Sequence, residues 1–402
     1  MGQGGAVNLI NNTRSKLIQA EPFFTYQMDA WDFPKELEAG EKARFYVEWS
    51  EGFFEDRCDD RGIAKYVLEN DPKKKVKIEM WDATKRNFTV ERTGFSGDDS
   101  RSTESILWQH DGDMFIVISD DASKLDFRCW MKGIAGNTPL NKMDIPGTHD
   151  SLSYDFTGAG SRIDYTAKTQ SYNIWEQLNN GCRYFDIRID ADLRGCHWII
   201  DCVHGLEDFM TWVNRFLNDN PSETIIVRLK NERDVGVDDK KHYNELLSAL
   251  FEKYKHLFWK SNGQINWPLL DDVRGKIVVL DNLNEHFFSA NGYGFVYGDN
   301  AKFVIQDNYN APNEDDKIRE IKANIDLPYD SERMKINHIS ATGTTAGFIP
   351  FTWTPRMYAD FLNPKVTEFI ITKRADCVMG IIVFDFVNSQ LVSSVLLNDV
   401  IG

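Results

Sequence analysis

The pattern of apolar positions changes character near residue 130. Before it, apolar and polar residues alternate over short runs. Phe45, Val47 and Trp49 interleave with Arg44, Tyr46 and Glu48, and Val76, Ile78 and Met80 with Lys77, Glu79 and Trp81. A period of two puts alternate side chains on one face of a strand. Further strands are predicted over Ile63–Leu68, Phe88–Val90, Ile106–Trp108 and Met114–Ile118, separated by turn-rich stretches such as Asn70-Asp-Pro-Lys73 and Ser96-Gly-Asp-Asp99. No helical period interrupts them. The pattern predicts an all-β, antiparallel sandwich-like accessory domain over residues 1–130, suited to binding a membrane or a ligand.

From 131 to 402 apolar strands alternate with amphipathic helices. Strands are predicted at Met143–Pro146, Arg183–Ile189, Trp198–Val203, Thr224–Leu229, Lys276–Leu280, Phe303–Ile305, Ile336–Ile339 and Gly380–Phe386. Between them, Leu206, Phe209, Met210, Val213, Phe216 and Leu217 recur at helical spacing. Eight strands in about 270 residues predict an α/β fold, a TIM-type (β/α)₈ barrel, and short or irregular crossovers make a distorted barrel as good an expectation as a regular one. A doubly wound sheet would need a phosphate-binding glycine fingerprint that the sequence lacks.

Charge narrows the function classes. Lys and Arg total 46 against 62 Asp and Glu, a formal charge of −16. Nucleic acid needs a basic face, and anionic lipid would not hold this chain by charge alone. Eleven Trp and 13% aromatic residues would have to supply any membrane affinity. No apolar run approaches the ~18 residues of a membrane span. Six Cys without regular spacing do not make a disulfide scaffold. Met1-Gly-Gln-Gly-Gly-Ala6 has neither the charged start nor the apolar stretch of a leader peptide. The default expectation is a soluble, cytoplasmic monomer, peripheral at membranes, with unconventional secretion as the alternative.

In a parallel barrel, function sits at the C-terminal ends of the strands. Those ends carry Gly147-Thr-His149-Asp150, Asp186 with Arg188, His204-Gly205, Lys230-Asn-Glu232, Asp281, Asp307 with Tyr309, and Asp385. Asp186 and Arg188, two apart, leave one face of their strand, where a core would have Val or Ile. Two histidines, an arginine and several carboxylates suit attack on a phosphodiester by a neighbouring hydroxyl. That reaction needs a base, an acid and a fixed cation for charge on the non-bridging oxygens. Histidine serves both proton roles near neutral pH, and a guanidinium matches phosphate.

The same residues carry a resemblance. Ile145-Pro-Gly-Thr-His-Asp-Ser151, Arg183-Tyr-Phe-Asp-Ile-Arg188, Val203-His-Gly205, Asn220-Pro-Ser-Glu-Thr-Ile-Ile226 with Leu229-Lys230, Arg274-Gly-Lys-Ile277, Gln306-Asp-Asn-Tyr309 and Phe384-Asp-Phe-Val-Asn388 resemble, in order, the X-region of bacterial-type phosphatidylinositol-specific phospholipase C. The resemblance implies a metal-independent lyase. It would convert phosphatidylinositol, or a glycosyl-phosphatidylinositol lipid, to diacylglycerol and inositol 1,2-cyclic phosphate. It implies His149 as general base with Asp385, His204 as general acid with Asp150, and Arg188 on the phosphate, oriented by Asp186. Lys230, Asp307 and Tyr309 fall where the family holds inositol. The family's arginine after the fifth strand is missing: the chain reads Leu280-Asp281-Asn282.

Arg188 stands where calcium-dependent relatives place an acidic ligand, so neither calcium nor another cofactor is expected. Cys196, Cys202, His204 and His197 fit no standard zinc spacing, and Cys202 reads as barrel filling. The segment Gly347–Trp353 places Phe348, Ile349, Phe351 and Trp353 together as a candidate membrane contact. Two other readings compete: a non-catalytic lipid-binding or membrane-perturbing protein, and a metal-dependent glycerophosphodiester phosphodiesterase. The second would need carboxylates where Arg188 stands.

Overall fold

A computed structural model of the chain describes residues 4–50, 59–81, 87–95, 101–107, 113–119, 127–158, 166–261, 266–311, 313–341, 354–373 and 377–400. The chain forms two compact units, Met1–Asp126 and Phe127–Gly402.

The first unit is built of strands β1 (Gly5–Asn12), β2 (Leu17–Gln19), β3 (Phe24–Tyr26), β4 (Met28–Trp31), β5 (Glu36–Leu37), β6 (Lys42–Trp49), β7 (Arg61–Leu68), β8 (Asp71–Trp81), β9 (Asn87–Thr93), β10 (Arg101–Leu107) and β11 (Asp113–Ser119). One sheet runs β11-β1-β6-β4 and the other β10-β9-β8-β7-β2-β5, with β3 on β7. The period of two is realised as alternating burial along β7. Leu9, Val47 and Trp49 of one sheet share a single core with Tyr66, Ile78 and Phe88 of the other. Pairing is antiparallel except between β1 and β11, which run parallel.

The second unit is a curled parallel sheet surrounded by helices. Its strands are β12 (Ile145–Thr148), β13 (Tyr184–Ile189), β14 (Arg194–His197), β15 (Ile200–Gly205), β16 (Ile225–Asn231), β17 (Ile277–Asn282), β18 (Phe295–Val296), β19 (Phe303–Gln306), β20 (Met334–His338) and β21 (Ile381–Phe384). The order is β18-β17-β16-β13-β12-β21-β20-β19, with parallel neighbours throughout. Among the described residues β18 and β19 do not pair, so the barrel is open there. Ile225–Leu229 is buried at every position, the signature of a strand covered on both faces.

Helix α1 spans Ile174–Asn179 and α2 spans Leu206–Asp219. The apolar residues singled out in α2 are all buried. Glu207 and Asp208 lie in its first turn, where the helix dipole favours negative charge, and Asp208 accepts the Gly205 N–H at 3.1 Å.

One predicted strand is corrected. Trp198–Val203 is not the third parallel strand: β14 and β15 form an antiparallel hairpin attached to β13 through Ile189 and Gly195. The reason is chain length. Only Asp190–His197 separate Ile189 from Trp198, and a parallel crossover takes about a dozen residues or more. The eighth parallel strand is instead the two-residue β18, too short to show a period. Among the described residues no helix is long and apolar enough to cross a membrane. Phe348, Ile349, Phe351 and Trp353 lie outside the described residues.

Candidate active site

Histidine 149 leaves the C-terminal end of β12 in a turn that its neighbours hold from both sides. Thr169 Oγ1 donates to the carbonyls of His149 and Asp150, and Gln170 Nε2 donates to those of His149 and Phe384. This network sustains a left-handed Asp150 (φ 41°), a conformation rarely taken by a residue with a side chain. The turn aims both side chains over the strand ends.

The proton on His149 can be placed by elimination. Arg188 Nη2 lies 2.7 Å from His149 Nε2, and a guanidinium only donates. Nε2 therefore accepts, and Nδ1 carries the hydrogen, donated to Asp385 Oδ1 at 2.8 Å. The ring is a neutral base with its tautomer set by a carboxylate. Burial and the Arg188 charge hold its pKa well below the ordinary histidine value. Burial, with the charge of Asp150, pushes the Asp385 carboxyl up, which strengthens its hold on the Nδ1 hydrogen.

Arg188, on β13, is the centre of the cluster. Its Nε donates to Asp186 Oδ2 at 3.0 Å, and its Nη1 to Glu232 Oε1 and Oε2 at 3.3 and 3.4 Å. Asp150 Oδ2 lies 4.0 Å from Nη1. Burial opposes the charge on Arg188, but Asp186, Asp150 and Glu232 outweigh it and hold the guanidinium ionised. Asp186 is fully buried; burial penalises its charge, yet Arg188 and Arg228 keep it well below the usual carboxylate range.

The second histidine of the cluster is His197. Its Nδ1 lies 2.8 Å from the Ala167 carbonyl and 3.0 Å from Asp150 Oδ2. A carbonyl only accepts, so Nδ1 bears hydrogen and Nε2 is the nitrogen that can exchange a proton. The His149 and His197 rings face each other edge-on with centroids 6.5 Å apart. His204, expected in this position, is set in other contacts. It ends β15, turns towards α2 and pairs through Nδ1 with Asp208 Oδ2 at 3.3 Å, its ring 4.9 Å from Trp212. Asp150, expected beside His204, stands beside His197. The hairpin turn at Trp198–Ile199 falls between the two histidines, so His197 ends β14 and His204 lies at the far end of β15.

Lys230 donates to Glu232 Oε2 at 2.6 Å and so lies against the cluster. Asp307, just past β19, stands 4.0 Å from the buried His338 Nδ1. Tyr309 is exposed further out along the same loop. Sequence reasoning assigned no site role to Glu232, Arg228, Tyr297 or His338. Arg228, Lys230 and Glu232 share a face by the same two-residue alternation as Asp186 and Arg188, so the signal was present. Arg228 stacks over Tyr297 at 4.1 Å and donates through Nε and Nη2 to Asn282 Oδ1 at 3.1 and 2.9 Å. A guanidinium from β16 thus stands beside the position on β17 where the family arginine is missing. Among the described residues no three His, Cys, Asp or Glu side chains stand together as a metal site.

His338 lies under this site, 6.0 Å from His149 by ring centroids, and burial pushes its pKa down to about 4. An unfolded histidine titrates near 6.5, so on acidification the unfolded chain takes this proton first. Stability contributed by the neutral ring is present above about pH 6.5 and is lost as pH falls towards 4. Urea unfolding across that window should show a falling midpoint, and His338→Gln should flatten the fall.

The comparisons with known proteins agree with this geometry. Residues 143–282 match the family described as "Phosphatidylinositol-specific phospholipase C, X domain". The 1-phosphatidylinositol phosphodiesterase of Listeria monocytogenes is 32% identical over 282 residues, covering 67% of this chain and 84% of the relative. The same-named protein of Staphylococcus aureus is 25% identical, over 60% of this chain and 82% of its own length. The solved phosphatidylinositol-specific phospholipase C of Listeria monocytogenes superposes with a TM-score of 0.60 at 32% identity, covering 68% of this chain and 99% of that one. A parallel sheet with two facing histidines around one arginine, and a relative a third identical across most of its length, place this chain in the phosphatidylinositol-specific phospholipase C family.

Proposed function

We propose that the chain is a metal-independent phospholipase C that cleaves phosphatidylinositol by intramolecular phosphoryl transfer. The inositol 2-hydroxyl oxygen attacks phosphorus and gives its proton to His149 Nε2. The bond from phosphorus to the glycerol oxygen breaks, and the leaving alkoxide takes a proton from His197 Nε2. The products are diacylglycerol and inositol 1,2-cyclic phosphate, with both histidines exchanged in protonation state.

The observation that carries this reading is the facing pair His149 and His197, each with its Nδ1 against a carboxylate and with Arg188 beside them. Asp385 and Asp150 stabilise the imidazolium that each ring forms when it holds a second proton. Arg188 donates to the His149 base at Nε2. A phosphate drawing the guanidinium onto its non-bridging oxygens frees Nε2 for the hydroxyl, so binding itself uncovers the base. Asp186 and Glu232 position Arg188. Lys230, against Glu232, and Asp307 and Tyr309, on the loop after β19, supply donors, an acceptor and a stacking face for inositol, whether free or bearing a glycan.

The guanidinium occupies the carboxylate nest of Asp150, Asp186 and Glu232, where it does the work of a cation and repels one. Turnover of phosphatidylinositol vesicles is expected to be unchanged by EDTA; silence in EDTA with recovery on Ca²⁺ would contradict the reading. The pH profile has a defined sign. His149 must be neutral to act, and its depressed pKa puts the acid limb of kcat/KM below pH 6.5. A profile of kcat/KM from pH 4 to 8 checks this.

A further inference from the structure

The tip of the β14–β15 hairpin is unusual for a turn. Trp198 and Ile199 are 68% and 67% exposed, side by side. Trp198 also takes a left-handed backbone with φ 53°. A bulky residue in that conformation is strained, and two-residue hairpin turns ordinarily use Asn, Asp or Gly there. Polar turn residues would remove both the strain and the apolar exposure. Neither feature is explained by folding.

The tip is nevertheless held in place. The Trp198 N–H donates to Glu232 Oε1 at 3.3 Å, and its carbonyl accepts from Arg233 Nε at 2.7 Å. Arg233 is fixed in turn by Asp201 at 2.7 Å. Glu232 is the same carboxylate that braces Arg188, and His197 immediately precedes the tip.

We propose that Trp198 and Ile199 form a lipid-contact tip that inserts into the phospholipid interface beside the active site. The proposal rests on the reading of the site as a phospholipase. A diester delivered to His197 from a bilayer brings that bilayer to the residue after it in the chain. Trp favours the bilayer interface, and Ile adds apolar area. Net charge of −16 leaves apolar insertion as the main source of attraction. The brace through Glu232 keeps Arg188 at a fixed height above the inserted tip.

The test compares the full chain with Trp198→Ala/Ile199→Ala. Partition onto phosphatidylcholine vesicles, with and without phosphatidylinositol, is read by sedimentation, and turnover is read on soluble inositol cyclic phosphate. The double variant is expected to partition at least about tenfold more weakly, with soluble turnover unchanged and Trp198→Phe largely restoring partition. Unchanged partition overturns the proposal. So does an equal fall in both readouts, which would make the tip a support for the site. A wild-type dimer that the double variant dissolves, seen by sedimentation velocity, also overturns it by making the tip a self-association surface. Partition needs no turnover. If the wild type bound vesicles through the tip yet cleaved neither substrate, the phospholipase reading would fail and the lipid-contact surface would stand.

Discussion

His197→Ala is expected to lower phosphatidylinositol turnover by about 10²–10⁴-fold, whereas His204→Ala leaves it close to wild type. A diacylglycerol alkoxide is a poor leaving group, so its departure depends on a positioned proton. His197 lies against Asp150 and faces His149, while His204 is engaged with Asp208 and Trp212. Leaving-group chemistry separates a lost acid from a damaged site. With a phenolate leaving group that needs no proton, His197→Ala should recover most of its activity. His149→Ala should not recover, because the nucleophile still lacks a base. A defect in His204→Ala as large as in His197→Ala would show that the hairpin rearranges before catalysis.

Arg188→Ala is expected to lose at least about 10²–10³-fold in kcat, the scale set by removing a single donor to a developing oxyanion. The loss extends further, because one guanidinium here braces Asp186, Glu232 and His149 together. Its removal also leaves Asp186 buried without that partner, and breaking such a pair costs roughly 3–5 kcal/mol of stability. Arg188→Lys separates the two effects. It keeps a positive charge for Asp186 but cannot present the planar fork. It should therefore fold close to wild type, retain much of its affinity and still lose most of kcat. If Arg188→Lys were fully active, charge alone would suffice and the geometric role assigned to the fork would be wrong.

Much of this architecture was legible where local pattern and tertiary environment agree. The alternation over Phe45–Trp49 and Val76–Trp81 becomes β6 and β8, and the unbroken apolar run at Ile225–Leu229 becomes a central strand. His149, Asp186, Arg188 and Asp385 could be read as one site because polar residues at barrel strand ends have few other reasons to be there. The second histidine was missed for a physical reason. Trp198 and Ile199 form a turn without any turn-forming residue, so the chain read straight through it as a strand ending at His204. The His204-Gly205 dipeptide carries the resemblance, whereas it is His197 that the structure sets opposite His149. Glu232 stands among the polar residues at the strand ends, but its place against Arg188 is visible only in the fold.

The identity of the atom that attacks phosphorus decides the mechanism. Phosphorus NMR of phosphatidylinositol vesicles digested in EDTA follows it directly. Attack by the inositol hydroxyl predicts that the five-membered cyclic phosphodiester appears first, with diacylglycerol in equal amount, and that His149→Ala abolishes both. Inositol 1-phosphate as the first product, with no cyclic species before it, would mean that water is the nucleophile and would contradict the mechanism.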